Sequence, residues 1–309
     1  MQLPSLRILA VPCVVLALTS VALLPHLQLP GVGWLPQLQA LVPLMPPLLA
    51  VAIAVVALRR RWRWAAVTVA VLALAGYPLL APSSAAIPDS AESFSVFSFN
   101  AGRAQADPDE LAAVIRAEHP EVLVLVETSE PLHRELERRG ALADYKYRTA
   151  PVPTGGQRDT VIFSALPLTE LAPMSDTGWY ELPAATVEFA GGPVMIAGVH
   201  VRSPLGESTT WARGLAALSR WADAAPAPVV LAGDFNAHRG HPAFRQLADT
   251  MSSADGLIAA PTWSPLPQLP SLLTIDHQLS KGLKAGHART FEVAGSDHRA
   301  LLARFTPQF

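Results

Sequence analysis

Hydrophobic positions along this chain of 309 residues fall into two regimes. In the first 84, apolar residues run almost unbroken: Ile8 to Pro25, Leu38 to Leu58 and Trp64 to Leu80. At about 1.5 Å per residue, each run is long enough for a helix to cross the hydrocarbon of a bilayer. Between the second and third lie Arg59, Arg60, Arg61 and Arg63, with Trp62 and Trp64 beside them. An arginine at the centre of a membrane helix costs roughly 2.5–3.5 kcal/mol, so this cluster reads as a surface loop. The expectation is a membrane anchor over 1–84 with three transmembrane helices, at about 8–25, 38–58 and 64–80. The second run contains Pro43, Pro46 and Pro47, which membrane helices tolerate.

The loop between the first two runs, His26 to Gln37, has no Lys or Arg. The positive-inside rule then keeps the arginine cluster and the N-terminus with Arg7 cytoplasmic. The third helix would run outward and deliver the rest of the chain to the extracytoplasmic face of the cell membrane. A cleaved signal peptide over 8–25 is the bland alternative, and it leaves the side of the domain unchanged. Residues 85–93, small, polar and Pro-containing, read as a linker.

From residue 94 the pattern changes to short strands and amphipathic helices. Phe94 to Phe99 alternates apolar residues with Ser, a half-buried strand. Asp107-Pro108-Asp109-Glu110 has the order of a helix start, with Asp107 as cap, and His119-Pro120 ends that helix. Val122 to Val126, Thr160 to Phe163, Ala185 to Phe189, Val194 to Val199 and Val229 to Ala232 read as strands, with a helix over Ser208 to Ala222. Ile275 to Leu279, Arg289 to Val293 and Ala300 to Phe305 complete them. Many strands with few helices mixed among them predict an α+β fold over 94–309, two packed mixed β-sheets flanked by helices in a four-layer sandwich.

Charge divides at the same point. No Asp or Glu occurs before Asp89, and after residue 88 there are 18 Lys and Arg against 25 Asp and Glu, a net −7. An acidic domain counts against tight binding of nucleic acid, although Arg158, Arg202, Arg213 and Arg239 leave room for a local basic groove. The single Cys13 excludes a disulfide framework and a thiolate zinc site. The three expected spans carry no embedded charge of the kind that marks a transport path.

Chemistry gathers where strands end. Asn100, Glu127, His200, Asp234, Asn236, Asp276, Asp297 and His298 each follow or open an apolar strand-like run, so their polar groups should share a sheet edge. A phosphodiester repels hydroxide, and a divalent cation held by hard oxygen ligands neutralises charge developing on its oxygens. A histidine beside a carboxylate is fixed in one tautomer and exchanges protons near neutral pH, worth of order 10²–10⁴ in rate. His277 reads as structural, Asp255 and Asp249 as turn or cap residues, and His238, His241 and His287 as exposed loop positions.

The residues Gly233-Asp234-Phe235-Asn236, Ile275-Asp276-His277 and Ser296-Asp297-His298 resemble the motifs of the endonuclease/exonuclease/phosphatase superfamily, of deoxyribonuclease-like metal-dependent phosphoesterases. The resemblance spans about 94–306 and extends to its membrane-anchored bacterial members. It implies catalytic roles for His200, Asp234, Asn236, Asp276 and His298, and metal ligation by Glu127, Asn100 and Asp297. It further implies phosphate contacts from Asn100 and Asn236, to which Arg158 is added on its position. The implied cofactor is Mg²⁺, with Mn²⁺ or Ca²⁺ as alternatives. Val126 replaces a glutamine common in relatives, and Gly102 stands where abasic-site endonucleases carry an aspartate, which tilts the comparison away from DNA repair and from two metals.

The expected function is a membrane-anchored, outward-facing hydrolase of phosphodiester bonds, in DNA, RNA or a phospholipid head group, acting by metal-assisted attack of a His-activated water. The lipid bilayer is the other expected partner, and no protein partner is expected. The competing reading is a catalytically silent membrane protein that binds phosphorylated ligands.

Overall fold

The computed structural model describes residues 16–307 apart from 18, 30, 59–61, 82–83, 85, 88–92, 154–157, 179, 191 and 267–268. Among the described residues thirteen strands form two sheets. The first has the order β11 (Leu283–Ala285), β13 (Ala300–Pro307), β1 (Phe94–Asn100), β2 (Val122–Val126), β4 (Val161–Ser164) and β3 (Tyr147–Arg148), with β12 (Arg289–Phe291) also on β13. The second runs β5 (Leu168–Met174), β6 (Leu182–Phe189), β7 (Gly192–His200), β8 (Val229–Asp234), β10 (Asp276–Lys281) and β9 (Ser252–Ser253). In each sheet one central pair is parallel, β1 with β2 and β7 with β8, and the other pairings are antiparallel.

The strand period of two separates the core into layers. Val122, Val124 and Val126 of β2 face Ile196 of β7 and Val230 of β8 between the sheets. The alternate residues Leu123 and Leu125 turn outward under α4 (Pro108–Glu118) and α5 (Glu130–Arg138). On the far side Val229 and Leu231 pack beneath α6 (Ser208–Ala224) and α7 (Pro242–Ala248), where Trp211 and Phe244 are fully buried. The result is the expected layering of helices, sheet, sheet and helices. Asp107 caps α4 as its sequence suggests, accepting from the amides of Asp109 and Glu110. Glu110 does not close a capping box; its carboxylate reaches instead to the amide of Ala294.

The N-terminal region corrects the expectation of three spans. Among the described residues two helical stretches are long and apolar enough to cross a bilayer, Leu35–Val55 and Trp62–Leu79, with mean hydropathies of 2.0 and 1.3. Half of the first expected span, residues 8–15 and 18, lies outside the described residues. The expected second span is also not one straight helix. Prolines at 36, 43, 46 and 47 divide it into α1 (Leu35–Gln39), a 3₁₀ turn at Val42–Leu44 and α2 (Met45–Leu58). Helix α3 (Trp62–Gly76) packs on α2, with Ala75 and Val71 meeting Leu49.

The segment before α2 docks on the sandwich. His241 Nε2 lies 3.0 Å from the carbonyl of Pro36, and His238 Nε2 3.3 Å from that of Ala40. Ser208 Oγ donates to the carbonyls of Gly31 and Gly33 at 3.0 and 3.1 Å. His238 and His241 are therefore buried, not exposed, because a segment about 200 positions away in sequence covers them.

Candidate active site

Parallel strands bring C-terminal ends to one edge, and an antiparallel neighbour brings its N-terminal end to the same edge. In the second sheet, His200 at the end of β7 is in register with Asp234 at the end of β8, and Asp234 with Asp276 at the start of β10. In the first sheet, Asn100 at the end of β1 pairs with Val126, one residue before Glu127. His298 stands two residues before β13, the antiparallel neighbour of β1. The two edges meet in a cleft of about 390 Å³ that exposes Glu127, His200, Asp234, Asn236, Asp297 and His298.

Local backbone geometry holds these groups in place. Gly233 has φ +137°, and a Cβ there would fall 2.2 Å from the carbonyl oxygen of Val199. Only glycine lets β8 approach β7 closely enough to align Asp234 with His200. Gly295 likewise has φ +85° and would place a Cβ 2.1 Å from the Gln105 carbonyl oxygen, so the Asp297–His298 loop can lie against the end of β1. Ser296 Oγ completes that junction, donating to the Asn100 carbonyl at 2.8 Å and accepting from the His298 amide at 3.0 Å. Glu127 and Asn236 are both left-handed at φ +48°, a conformation that ordinary side chains adopt at a cost.

Hydrogen bonds fix the acids. Asp234 accepts from the amide of Asn236 at 2.7 Å and from the side-chain amides of Asn100 and Asn236, each at 3.1 Å. Asn100 Nδ2 also approaches Glu127 Oε1 at 3.3 Å, so one amide bridges two carboxylates. The other Glu127 oxygen accepts from the amide of Arg103 at 2.8 Å. Trp263 Nε1 donates to Asp297 at 2.9 Å.

Two histidines carry carboxylate partners. His298 Nδ1 lies 2.9 and 3.1 Å from the oxygens of Asp276, which leaves Nε2 toward the cleft, 3.9 Å from both Asp234 and Asp297. Burial works against its charged form, but the charge and hydrogen bond of Asp276 outweigh it, and the pKa rises to about 10. Burial pushes Asp234 up to about 6, opposed by His298 and reinforced by Asp276. His200 Nδ1 pairs with Asp159 at 2.9 Å, and Nε2 is 3.6 Å from Glu127. There too burial is outweighed by the hydrogen bond and charge of Asp159, so its pKa is raised. The ring of Tyr180 stacks on His200 at 4.1 Å between centroids.

The eight strand-end residues named from sequence thus come together around one cleft. Arg158 does not join them. Its guanidinium is buried against Glu170 at 2.9 Å and lies outside the cleft lining. His277 is structural as expected, held between Asp255 at 2.9 Å and the Ala237 carbonyl at 2.8 Å. Asp255 is therefore a buried ion-pair partner, not a turn or cap residue. Asp159, Tyr180, Trp263 and Arg103 were not foreseen. Asp159 had a readable signal, since it immediately precedes a strand that runs antiparallel to β2 and so starts at the functional edge.

The donor set suits a hard divalent cation. Asp234, Asp276 and His298 bring ligand atoms within 4.8 Å of one another. Asp276 and His298 already satisfy each other, however, and a cation there would break that pair. Glu127 and Asp297 offer further carboxylate oxygens to the cleft, the chemistry that Mg²⁺ selects, whereas Asn100, expected as a ligand, turns its amide nitrogen to Glu127 and Asp234 and its oxygen to the amide of Gly102.

The fold has well-populated company. D. rerio TDP2, humanized by 14 mutations, superposes with a TM-score of 0.56 at 18% identity, covering 70% of this chain and all of that one. D. rerio TDP2 complexed with a single-strand DNA product matches at 0.54 and 17%, over 71% of this chain and all of that one. A mutant of Staphylococcus aureus beta toxin with bound magnesium ions matches at 0.51 and 15%, over 70% and 100%. No curated protein matches the sequence. Residues 96–298, which contain the whole cleft, match the Endonuclease/Exonuclease/phosphatase family, and the chain belongs to that family.

Proposed function

We propose that the chain is a divalent-metal-dependent phosphodiesterase. The observation that carries this reading is the 3.9 Å gap between Asp234 Oδ2 and His298 Nε2, each backed by its own hydrogen-bond partners. A water on the cleft side of this pair can hydrogen-bond both groups. Asp234, with its pKa raised to about 6, takes the proton from that water as it attacks phosphorus. The imidazolium of His298, kept charged by Asp276, donates to a phosphoryl oxygen. This division of labour replaces the histidine base expected from sequence. Asn236 and Asn100 fix the Asp234 carboxylate without adding negative charge. His200, held by Asp159, stands opposite and donates toward the departing oxygen.

Glu127 and Asp297, the cleft carboxylates that take no part in these proton steps, would hold the cation. Its chemistry is to neutralise charge on the phosphoryl oxygens. Mg²⁺ is the first choice on ligand hardness.

We further read α2 and α3 as a membrane hairpin. Only 22% and 28% of the two apolar stretches is buried within the protein, unlike the core helices of a soluble fold. Leu48, Val51, Leu58 and Trp62 stand open at 61, 64, 84 and 67% exposure, an apolar surface that water would not leave uncovered. The docked segment before α2 and the catalytic sandwich after α3 share a side, and the arginine cluster lies between the helices in sequence. With that cluster cytoplasmic, the cleft faces outward.

The test uses the full chain in detergent with an aryl phosphodiester. EDTA should abolish turnover and Mg²⁺ restore it, while Asp234→Asn should lose activity at every pH. Turnover that survives EDTA, or an Asp234→Asn variant at wild-type rate, overturns the mechanism.

A further inference from the structure

A second cavity, of about 640 Å³, lies where the hairpin meets the sandwich. Its volume falls within the range of about 300–1,000 Å³ typical of small-molecule sites. One wall is made by the ends of the apolar stretches, including Pro46, Pro47, Leu72, Ala73 and Tyr77. The opposite wall comes from the domain, with Ile258, Pro261 and Leu272.

The polar residues that reach this cavity are already engaged. Both ring nitrogens of His277 are bonded, to Asp255 and to the Ala237 carbonyl. Thr274 Oγ1 donates to the Ala260 carbonyl at 2.8 Å, and His238 Nε2 meets the Ala40 carbonyl. Arg239 pairs through Nη2 with Asp249, while its buried Nε has no partner. An occupant therefore meets apolar side chains along most of its length, with Tyr77 and Arg239 as the polar residues nearest to its ends. A polar ligand would leave its own groups unsatisfied.

The loop between β9 and β10 extends this apolar character outside. Leu257, Ile258, Leu266, Leu269 and Leu272 are 54, 79, 54, 47 and 41% exposed. The same loop reaches the catalytic cleft through Trp263, which bonds Asp297 and bridges to His298. The side chain of Asp276 points to the cleft and that of the next residue, His277, to the cavity. A single strand thus separates the two.

We propose that this cavity seats a hydrocarbon chain of a bilayer phospholipid, its ester oxygen beside Arg239, and that the exposed leucines of the loop lie among the head groups. The occupant follows from continuity, because the walls of the cavity are the ends of helices whose outer faces already require lipid. The proposal rests on the membrane hairpin and sets the catalytic cleft beside a surface of phosphodiester head groups, which makes a phospholipid the substrate class.

The probe is a phosphatidylcholine with a diazirine at mid-chain, incorporated into nanodiscs with the full chain, irradiated, and mapped by mass spectrometry. Adducts are expected on Leu72, Tyr77, Ile258 and Leu272. Ala73→Trp, which fills the cavity, should cut adducts on Ile258 and Leu272 about tenfold, equivalent to about 1.4 kcal/mol. Ile258→Glu, at an exposed position that tolerates charge in the fold, should cut adducts on Leu272 alike, which guards against a misfolded Ala73→Trp. Adducts confined to outward positions such as Val51 and Val69, and unchanged in both variants, overturn the proposal. Turnover of the aryl phosphodiester by the wild-type protein is read separately. A silent enzyme with intact cavity adducts therefore counts against the catalytic reading alone.

Discussion

Two pairs of buried histidines in this protein are treated in opposite ways. At the cleft, His298 and His200 lie against carboxylates, and both are shifted toward the charged form despite burial. On the face that grips the N-terminal segment, His238 and His241 lie against the backbone carbonyls of Ala40 and Pro36. Burial dominates there; it lowers His241 to about 4 and His238 well below its ordinary value. A carbonyl gives a partner for one N–H but no compensating charge. The contrast separates a site built to handle protons from a joint built to exclude them.

The largest effect that would sharpen this contrast is at the charged pair. His298→Ala should lower kcat by about 10²–10⁴, the usual worth of a positioned acid or base, as measured by steady-state turnover. A smaller effect is expected at the second pair. Asp159→Asn removes the charge that holds His200 protonated and should shift the pH–rate profile downward on its basic limb, with His200 still in place. An unchanged profile would break the parallel between the two cleft histidines.

At the joint the sign is reversed. The folded-state pKa of His241 is lowered to about 4, below the value near 6.5 of an unfolded chain. Its contribution to stability is therefore complete above about pH 6.5 and is lost as the pH falls toward 4. Hydrogen exchange of residues 31–44 should quicken over that window, and His241→Gln should flatten the dependence. The smallest effect belongs to Arg158. Its partner Glu170 is partly exposed and can rehydrate when the guanidinium is removed, so Arg158→Ala should lower Tm and leave kcat near wild type.

Much of the site was legible because its residues end strands that apolar runs announce. Asp234 follows Val229 to Ala232, and Glu127 follows Val122 to Val126, so pattern alone located both tips. Asp159, just before the Thr160 to Phe163 run, escaped because no motif like those around Asp276 and His298 marks it. The short helices α5 and α7 also escaped. Glu-Pro-Leu-His-Arg-Glu-Leu-Glu-Arg offers two leucines four apart to a nine-residue helix, and α7 has seven residues, too few to show a period. The mostly exposed β5 lacks a buried alternation. The burial of His238, His241 and Asp255 could not be read locally, because what covers or pairs them comes from elsewhere in the chain.

Gly233 contributes no reactive atom, yet it sits under the whole catalytic edge. Alanine where φ is positive destabilises by more than the roughly 0.4–1 kcal/mol that removing a glycine otherwise gains, and here the methyl would also collide with the neighbouring strand. A random mutagenesis screen scored on turnover alone would therefore mark this position as indispensable alongside the acids. Only a parallel readout of soluble yield would reveal that its loss is architectural.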